Sequence, residues 1–137
     1  MRCVPSRRPR SDEERFDQPY EYPFGPDEAP LLIEQRRFGP EARRQRRRQR
    51  ARRQLTAAWQ GFASTVWDSS IVLSKYLERR FGAGPAALSG RRAVELGAGC
   101  GLVSCVLARL GADVTATDME PNLPLLRDNL RANCASN

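Results

Sequence analysis

Glycines at 97, 99 and 101 stand at alternate positions between two apolar segments, and this run constrains the chain more than any other feature. Ala93, Val94 and Leu96 lead into it. Leu102, Val103, Val106, Leu107 and Leu110 leave it at helical spacing. The pattern predicts a strand, a glycine turn and a helix. Glycine lets the backbone take positive φ, and it lets a ligand lie on the main chain where a side chain would block it. Asp118 follows 21 positions after Gly97 and closes the apolar stretch Val114-Thr115-Ala116-Thr117. A carboxylate placed there can accept both hydroxyls of an adenosyl ribose.

Two cofactor classes compete for such a corner. A dinucleotide fingerprint asks for G-x-G-x-x-G, the third glycine allowing close helix–strand packing and the helix N-terminus lying under a pyrophosphate. Leu102 stands where that third glycine belongs. Glu95, two residues before Gly97, suits a cation better than a pyrophosphate. S-adenosylmethionine carries no phosphate, and its methionine end bears an ammonium near a sulfonium. That cofactor is the favoured reading, with nicotinamide or flavin dinucleotides as the alternative. A strand–helix turn whose glycines serve packing alone is a third reading, and the joint arrival of Glu95, three glycines and Asp118 argues against it.

The residues around this corner carry a wider resemblance. Val66-Trp67-Asp68-Ser69-Ser70-Ile71-Val72-Leu73-Ser74-Lys75-Tyr76-Leu77-Glu78, the run Ala93 to Val103, Gly111-Ala112-Asp113-Val114 and Thr117-Asp118 together resemble the family-16 protein-lysine methyltransferases, the methyltransferase-like 21 group, over about residues 61 to 133. The resemblance implies that Trp67 lies beside the cofactor, that Gly97, Ala98 and Gly99 wrap its methionine end, and that Asp118 holds its ribose. Glu95 and Gly101 match the same motif. Read without the family, Trp67 is equally a large aromatic buried at a helix start. The family continues to an Asp-Trp-type motif and a substrate-side aromatic that nothing in this chain matches, so no residue is assigned as catalytic.

The implied fold class is α/β, a Rossmann-like S-adenosylmethionine-dependent methyltransferase fold. Residues 61–137 are too few for all of it. They are expected to form one leading helix and two βα units, the amino-terminal half of a class I methyltransferase domain, where a sheet covered on both faces needs on the order of 150 residues. A chain built this way is expected to be poorly stable and to bind cofactor weakly.

Composition sets residues 1–60 apart as a basic extension, disordered or partly helical. They hold 15 Arg against 9 acids, while residues 61–137 hold 8 basic residues against 7 acids, so most of the net charge of +7 belongs to the front. Met1 to Pro30 is rich in proline and charge, which favours disorder. Leu31-Leu32-Ile33-Glu34-Gln35 is a short apolar run that can form an ancillary strand. Eight arginines between Glu41 and Arg53 fit a polar-sided helix from about Pro40 to Trp59. Such a run is most simply a solvated surface. A localisation signal and nucleic-acid binding are the functional alternatives, the latter weakened by the lack of interleaved aromatics.

The partner expected is a protein substrate presenting a lysine side chain. No stretch approaches the roughly 18 apolar residues of a membrane span. The amino terminus has no apolar core of a secretory signal, and Asp12, Glu13, Glu14 and Asp17 argue against an organellar transit peptide. With no His and no C-x-x-C pair among Cys3, Cys100, Cys105 and Cys134, no metal site and no disulfide framework is predicted, and the cytosol or nucleus is the consistent compartment. Cys100 reads as a small space-filling residue. Asp68 or Ser69 is expected to cap a helix carrying Ile71, Val72, Leu73 and Leu77, Gly111 to close the helix after the glycine turn, and Pro121 to open a last helix with Leu123, Leu126 and Leu130. The helix after Trp67 is expected to cover the sheet face opposite the other two, and its apolar residues to be core.

Overall fold

The computed structural model describes residues 16, 18–25, 28–36, 63–82 and 84–134. Strand β1 (Tyr20–Tyr22) pairs antiparallel with β2 (Leu31–Ile33), Tyr20 opposite Ile33 and Tyr22 opposite Leu31. Helix α1 (Asp68–Phe81), strand β3 (Arg92–Leu96), helix α2 (Leu102–Arg109) and strand β4 (Asp113–Thr117) follow. A 3-10 turn (Glu120–Asn122) then leads into helix α3 (Leu123–Cys134). β3 and β4 run parallel, Arg92 beside Asp113 and Leu96 beside Thr117. The strand, glycine turn, helix and second strand thus stand where the glycine pattern predicts them, in a mixed α/β architecture.

α2 ends as its sequence dictates. Gly111 takes φ +92, its N–H donates to the Ala108 carbonyl, and Ala112 donates to the Leu107 carbonyl. This pair of bonds is a Schellman closure, and the αL residue it needs is glycine. α1 starts differently from expectation. Trp67 is its N-cap and makes no side-chain capping bond, Asp68 is already helical, and the Ser70 hydroxyl turns back to the Trp67 carbonyl at 2.6 Å.

The side on which α1 lies is a further correction. It packs against α2 rather than over the far face of the sheet. Ile71 and Leu77 join the core, and Ser74 is fully buried, its small side chain permitting close approach. Val72 and Leu73, expected in the core, are exposed, as is Tyr76, because a helix resting on another helix buries only a narrow stripe. Leu102, Val106 and Leu126 are buried as the periodicity predicts, and Leu107 and Leu130 pack against the same core.

The hairpin is the third departure. The ancillary strand expected at Leu31 forms as β2, but residues 20–33 are no mere extension: Tyr22, Phe24, Leu31 and Ile33 are almost wholly buried and join the same core as α2. On one side Tyr22 donates its hydroxyl to Glu78, and Lys75 donates to the Pro23 carbonyl at 2.6 Å. Burial, reinforced by Glu78, holds the Tyr22 phenol well above its usual range, so it remains a donor. On the other side two asparagines of α3 serve as a substitute strand. Asn133 accepts from Leu32 N at 2.8 Å and donates to Leu32 O at 2.9 Å, while Asn129 accepts from Glu34 N at 2.9 Å and donates to Glu34 O at 3.0 Å. Residues four apart on a helix rise about 6 Å, nearly the span of two strand residues, so the amides match the free edge of β2. The predicted helix from Pro40 to Trp59 and the arginine run lie outside the described residues.

Candidate functional site

The parallel register places the end of β3 beside the end of β4, and the chain turns immediately beyond. Ala98 N donates to Thr117 O at 2.9 Å, carrying the ladder one step past the strands, and Gly101 N donates to Ala98 O at 2.8 Å, closing the turn. The Gly101 conformation, φ +83, is costly for any other residue, and a Cβ there would lie 2.7 Å from Leu126 Cδ1 of α3. A Cβ on Gly99 would lie 3.1 Å from the Ala63 carbonyl oxygen. A Cβ on Gly97 would meet nothing within 4 Å. Gly97 thus has open space beside it while protein packs against Gly99 and Gly101, and all three hold the positive φ that favours glycine.

Asp118 ties the two strand ends together. Its Oδ2 accepts the Gly99 N–H at 2.7 Å, and its Oδ1 accepts the Met119 N–H at 2.7 Å and the Asn122 side-chain amide at 2.5 Å. Glu95, on the inward face of β3, accepts the Ser104 hydroxyl from α2. Burial raises the Glu95 pKa, the Ser104 hydrogen bonds oppose that shift, and the charge of Asp118 adds to it. The Cys100 thiol points to the Ala63 carbonyl at 3.4 Å, and burial with the nearby Asp118 charge pushes its pKa up to about 12. It stays a neutral thiol, which suits a space-filling role and not a nucleophile.

These groups line a cavity of about 400 Å³, inside the range of roughly 300–1,000 Å³ usual for small-molecule sites. Trp67, Glu95, Gly97, Ala98, Gly99, Gly101 and Asp118, the seven residues singled out in the sequence, all border it. Trp67 is half exposed at the start of α1, so its ring is not the buried core aromatic of the alternative reading. Two carboxylates face the cavity, and none of the described residues lining it is Lys or Arg.

Three contributors escape sequence inspection. Ala63 supplies the carbonyl under Gly99 and Cys100, and its segment is held by the hairpin's exit, where Val66 N donates to Gln35 Oε1 at 2.9 Å and Arg36 N to Ser64 O at 3.0 Å. Asn129 reaches from α3 to the Cys100 carbonyl at 2.9 Å, linking the turn to β2. Asn122 fixes Asp118 and is itself buried. The signal for Asn129 and Asn133 was present, since they interrupt the apolar stripe of a helix at a spacing of four.

A family model described as lysine methyltransferase matches residues 51–137. The chain is 47% identical over 81 residues to Protein N-lysine methyltransferase METTL21A of Danio rerio, covering 58% of this chain and 35% of that protein. It is 49% identical over 82 residues to the protein of the same name from Mus musculus, covering 58% and 36%. To EEF1A lysine methyltransferase 3 of Xenopus tropicalis it is 36% identical over 77 residues, covering 56% and 33%. The chain thus spans about a third of the length of these relatives. With the motifs quoted above inside the matched region, the chain belongs to the lysine methyltransferase family.

Proposed function

We propose that the cavity at the glycine turn binds S-adenosylmethionine, and that the chain is the cofactor-binding part of a protein-lysine N-methyltransferase with a Rossmann-like fold. The observation that carries this reading is the charge of the cavity: Glu95 and Asp118 border it, and among the described residues no basic side chain does. A pyrophosphate would face two carboxylates, whereas an ammonium and a sulfonium find opposite charge. The family supplies the reaction class, and the printed names of METTL21A and EEF1A lysine methyltransferase 3 supply the substrate class, a lysine of a protein. The cytosol or nucleus is the compartment we propose.

The residues fit the group. Asp118 would hold the ribose, Gly97, Ala98 and Gly99 would pass along the methionine end, Glu95 would lend negative potential to its cationic groups, and Trp67 would border the ligand from the α1 side. Bound there, S-adenosylmethionine supplies a methyl on a sulfonium, open to displacement by a neutral lysine amine. The chain's own contribution is alignment and charge; no residue in it is assigned to take the proton from that amine.

Calorimetry with S-adenosylmethionine and with NAD, on the chain and on Asp118→Ala, tests the reading. S-adenosylmethionine should bind and NAD should not. The substitution should weaken binding by at least about tenfold, since charge-assisted hydrogen bonds contribute roughly 1.5–3 kcal/mol and 1.4 kcal/mol is already a factor of ten. Binding of NAD without S-adenosylmethionine would overturn the assignment.

A further inference from the structure

The carboxylate of Asp118 is already heavily used. An ionised carboxylate offers about four acceptor positions. Gly99 N takes one on Oδ2, and Met119 N and the Asn122 amide take both on Oδ1. One position is left, on Oδ2. A ribose diol brings two donors, so Asp118 in this arrangement satisfies only one of them.

Asn122 answers the shortfall. It borders the same cavity, is 6% exposed, and is the last residue of the 3-10 turn, where its N–H donates to the Met119 carbonyl at 2.9 Å. The orientation of its side-chain amide is fixed by its neighbour. Only the NH₂ group can face a carboxylate oxygen at 2.5 Å, because the amide oxygen there would set acceptor against acceptor. The amide oxygen is therefore turned away from Asp118, and no described residue donates to it. That oxygen is not sealed in, since Ser74 Oγ is the one buried side-chain polar atom without a partner among the described residues, and beside the cavity it is open to a donor from a ligand or a water.

We propose that Asn122 and Asp118 divide the ribose between them, Asn122 Oδ1 accepting one hydroxyl and Asp118 Oδ2 the other. The proposal rests on the reading of this cavity as an adenosyl site. It makes Asn122 a binding residue in its own right and the Asn122–Asp118 bond the device that sets both acceptors at once. The ligand class it selects is an adenosyl group with a free vicinal diol, against 2′- or 3′-substituted and deoxy forms.

The test is a titration of the chain with adenosine, 2′-deoxyadenosine and 3′-deoxyadenosine, followed by NMR, on wild type and Asn122→Ala. In the wild type each missing hydroxyl should weaken binding by about threefold or more. In Asn122→Ala one of the two penalties should vanish while the other persists. Because Asn122→Ala also frees a position on Asp118 Oδ1, penalties unchanged in the variant overturn the proposal when the wild-type Asn122 side-chain carbonyl resonance responds equally to all three ligands, and uphold it when that resonance distinguishes them. Should the variant fail to fold, the wild type decides. The Asn122 side-chain carbonyl resonance should move with adenosine and stay still with one of the deoxy forms, and an equal response to all three would overturn the proposal. Absence of adenosine binding together with failure of S-adenosylmethionine to bind sinks the cofactor reading itself. Adenosyl binding with no coupling to Asn122 sinks only this inference.

Discussion

The two faces of the β3–β4 pair are unlike. On one, α2 lies against the strands with α1 and α3 packed on it, and Val106 and Leu110 are wholly buried. On the other, Val94 and Leu96 point outward, 68% and 81% exposed, and no described element covers them. Parallel sheets are ordinarily covered on both faces, and their strands are apolar on both. The strand Arg92-Ala93-Val94-Glu95-Leu96 fits that rule in part: its apolar outward residues suit a covered face, while its inward side carries Glu95 into the cavity. One face thus supplies stability and the site, and the other supplies apolar surface with no partner among the described residues. The difference teaches that the glycine corner is assembled entirely from the covered side, with β3, α2, β4 and the Ala63 segment meeting at its rim.

If that contrast is right, the two faces answer very differently to substitution. Leu110→Ala, at a fully buried position, should lower the unfolding free energy by about 2–5 kcal/mol in urea denaturation. A loss below about 1 kcal/mol would mean that the covered face is not the core of the chain. Leu96→Ser should change the same quantity by no more than about 0.5 kcal/mol, because the side chain loses little burial. A cost comparable to that of Leu110→Ala would show that the outward face is covered in solution, and the contrast between the faces would fail.

Legibility in the sequence followed the same physics. The corner could be read because its parts are local and periodic: glycines at alternate positions, an apolar helix after them, and a carboxylate at the end of the next strand. The six corner residues chosen there, and Trp67, which the family resemblance added, border one cavity. Of the hairpin, the apolar run at Leu31 shows its second strand, while the first strand and the pairing are not legible. Its strands are three residues each, too short for alternation to show, and they sit in a stretch rich in proline and charge. What holds them is distant in sequence, with Asn129 and Asn133 bonding to residues about a hundred positions earlier. The placement of α1 departs from its sequence pattern for a related reason. Apolar residues on several sides of a helix say that it can be buried, but not which neighbour it meets, and here a narrow stripe around Ser74 meets α2 while Val72 and Tyr76 stay outside. Asn122 lies four residues after Asp118 and has no periodic pattern to announce it.

The central claim is that the adenosyl part of S-adenosylmethionine sits at the glycine turn between β3 and β4. Amide and indole chemical shifts of the ¹⁵N-labelled chain, recorded as S-adenosylmethionine is added, test it most directly. The account predicts the largest saturable changes at Gly97, Gly99, Asp118 and the Trp67 indole, with Arg92 and Asp113 at the far end of the strands unmoved. Changes centred on the hairpin or on that far end of the sheet, or none at the glycine turn at saturating ligand, would contradict it.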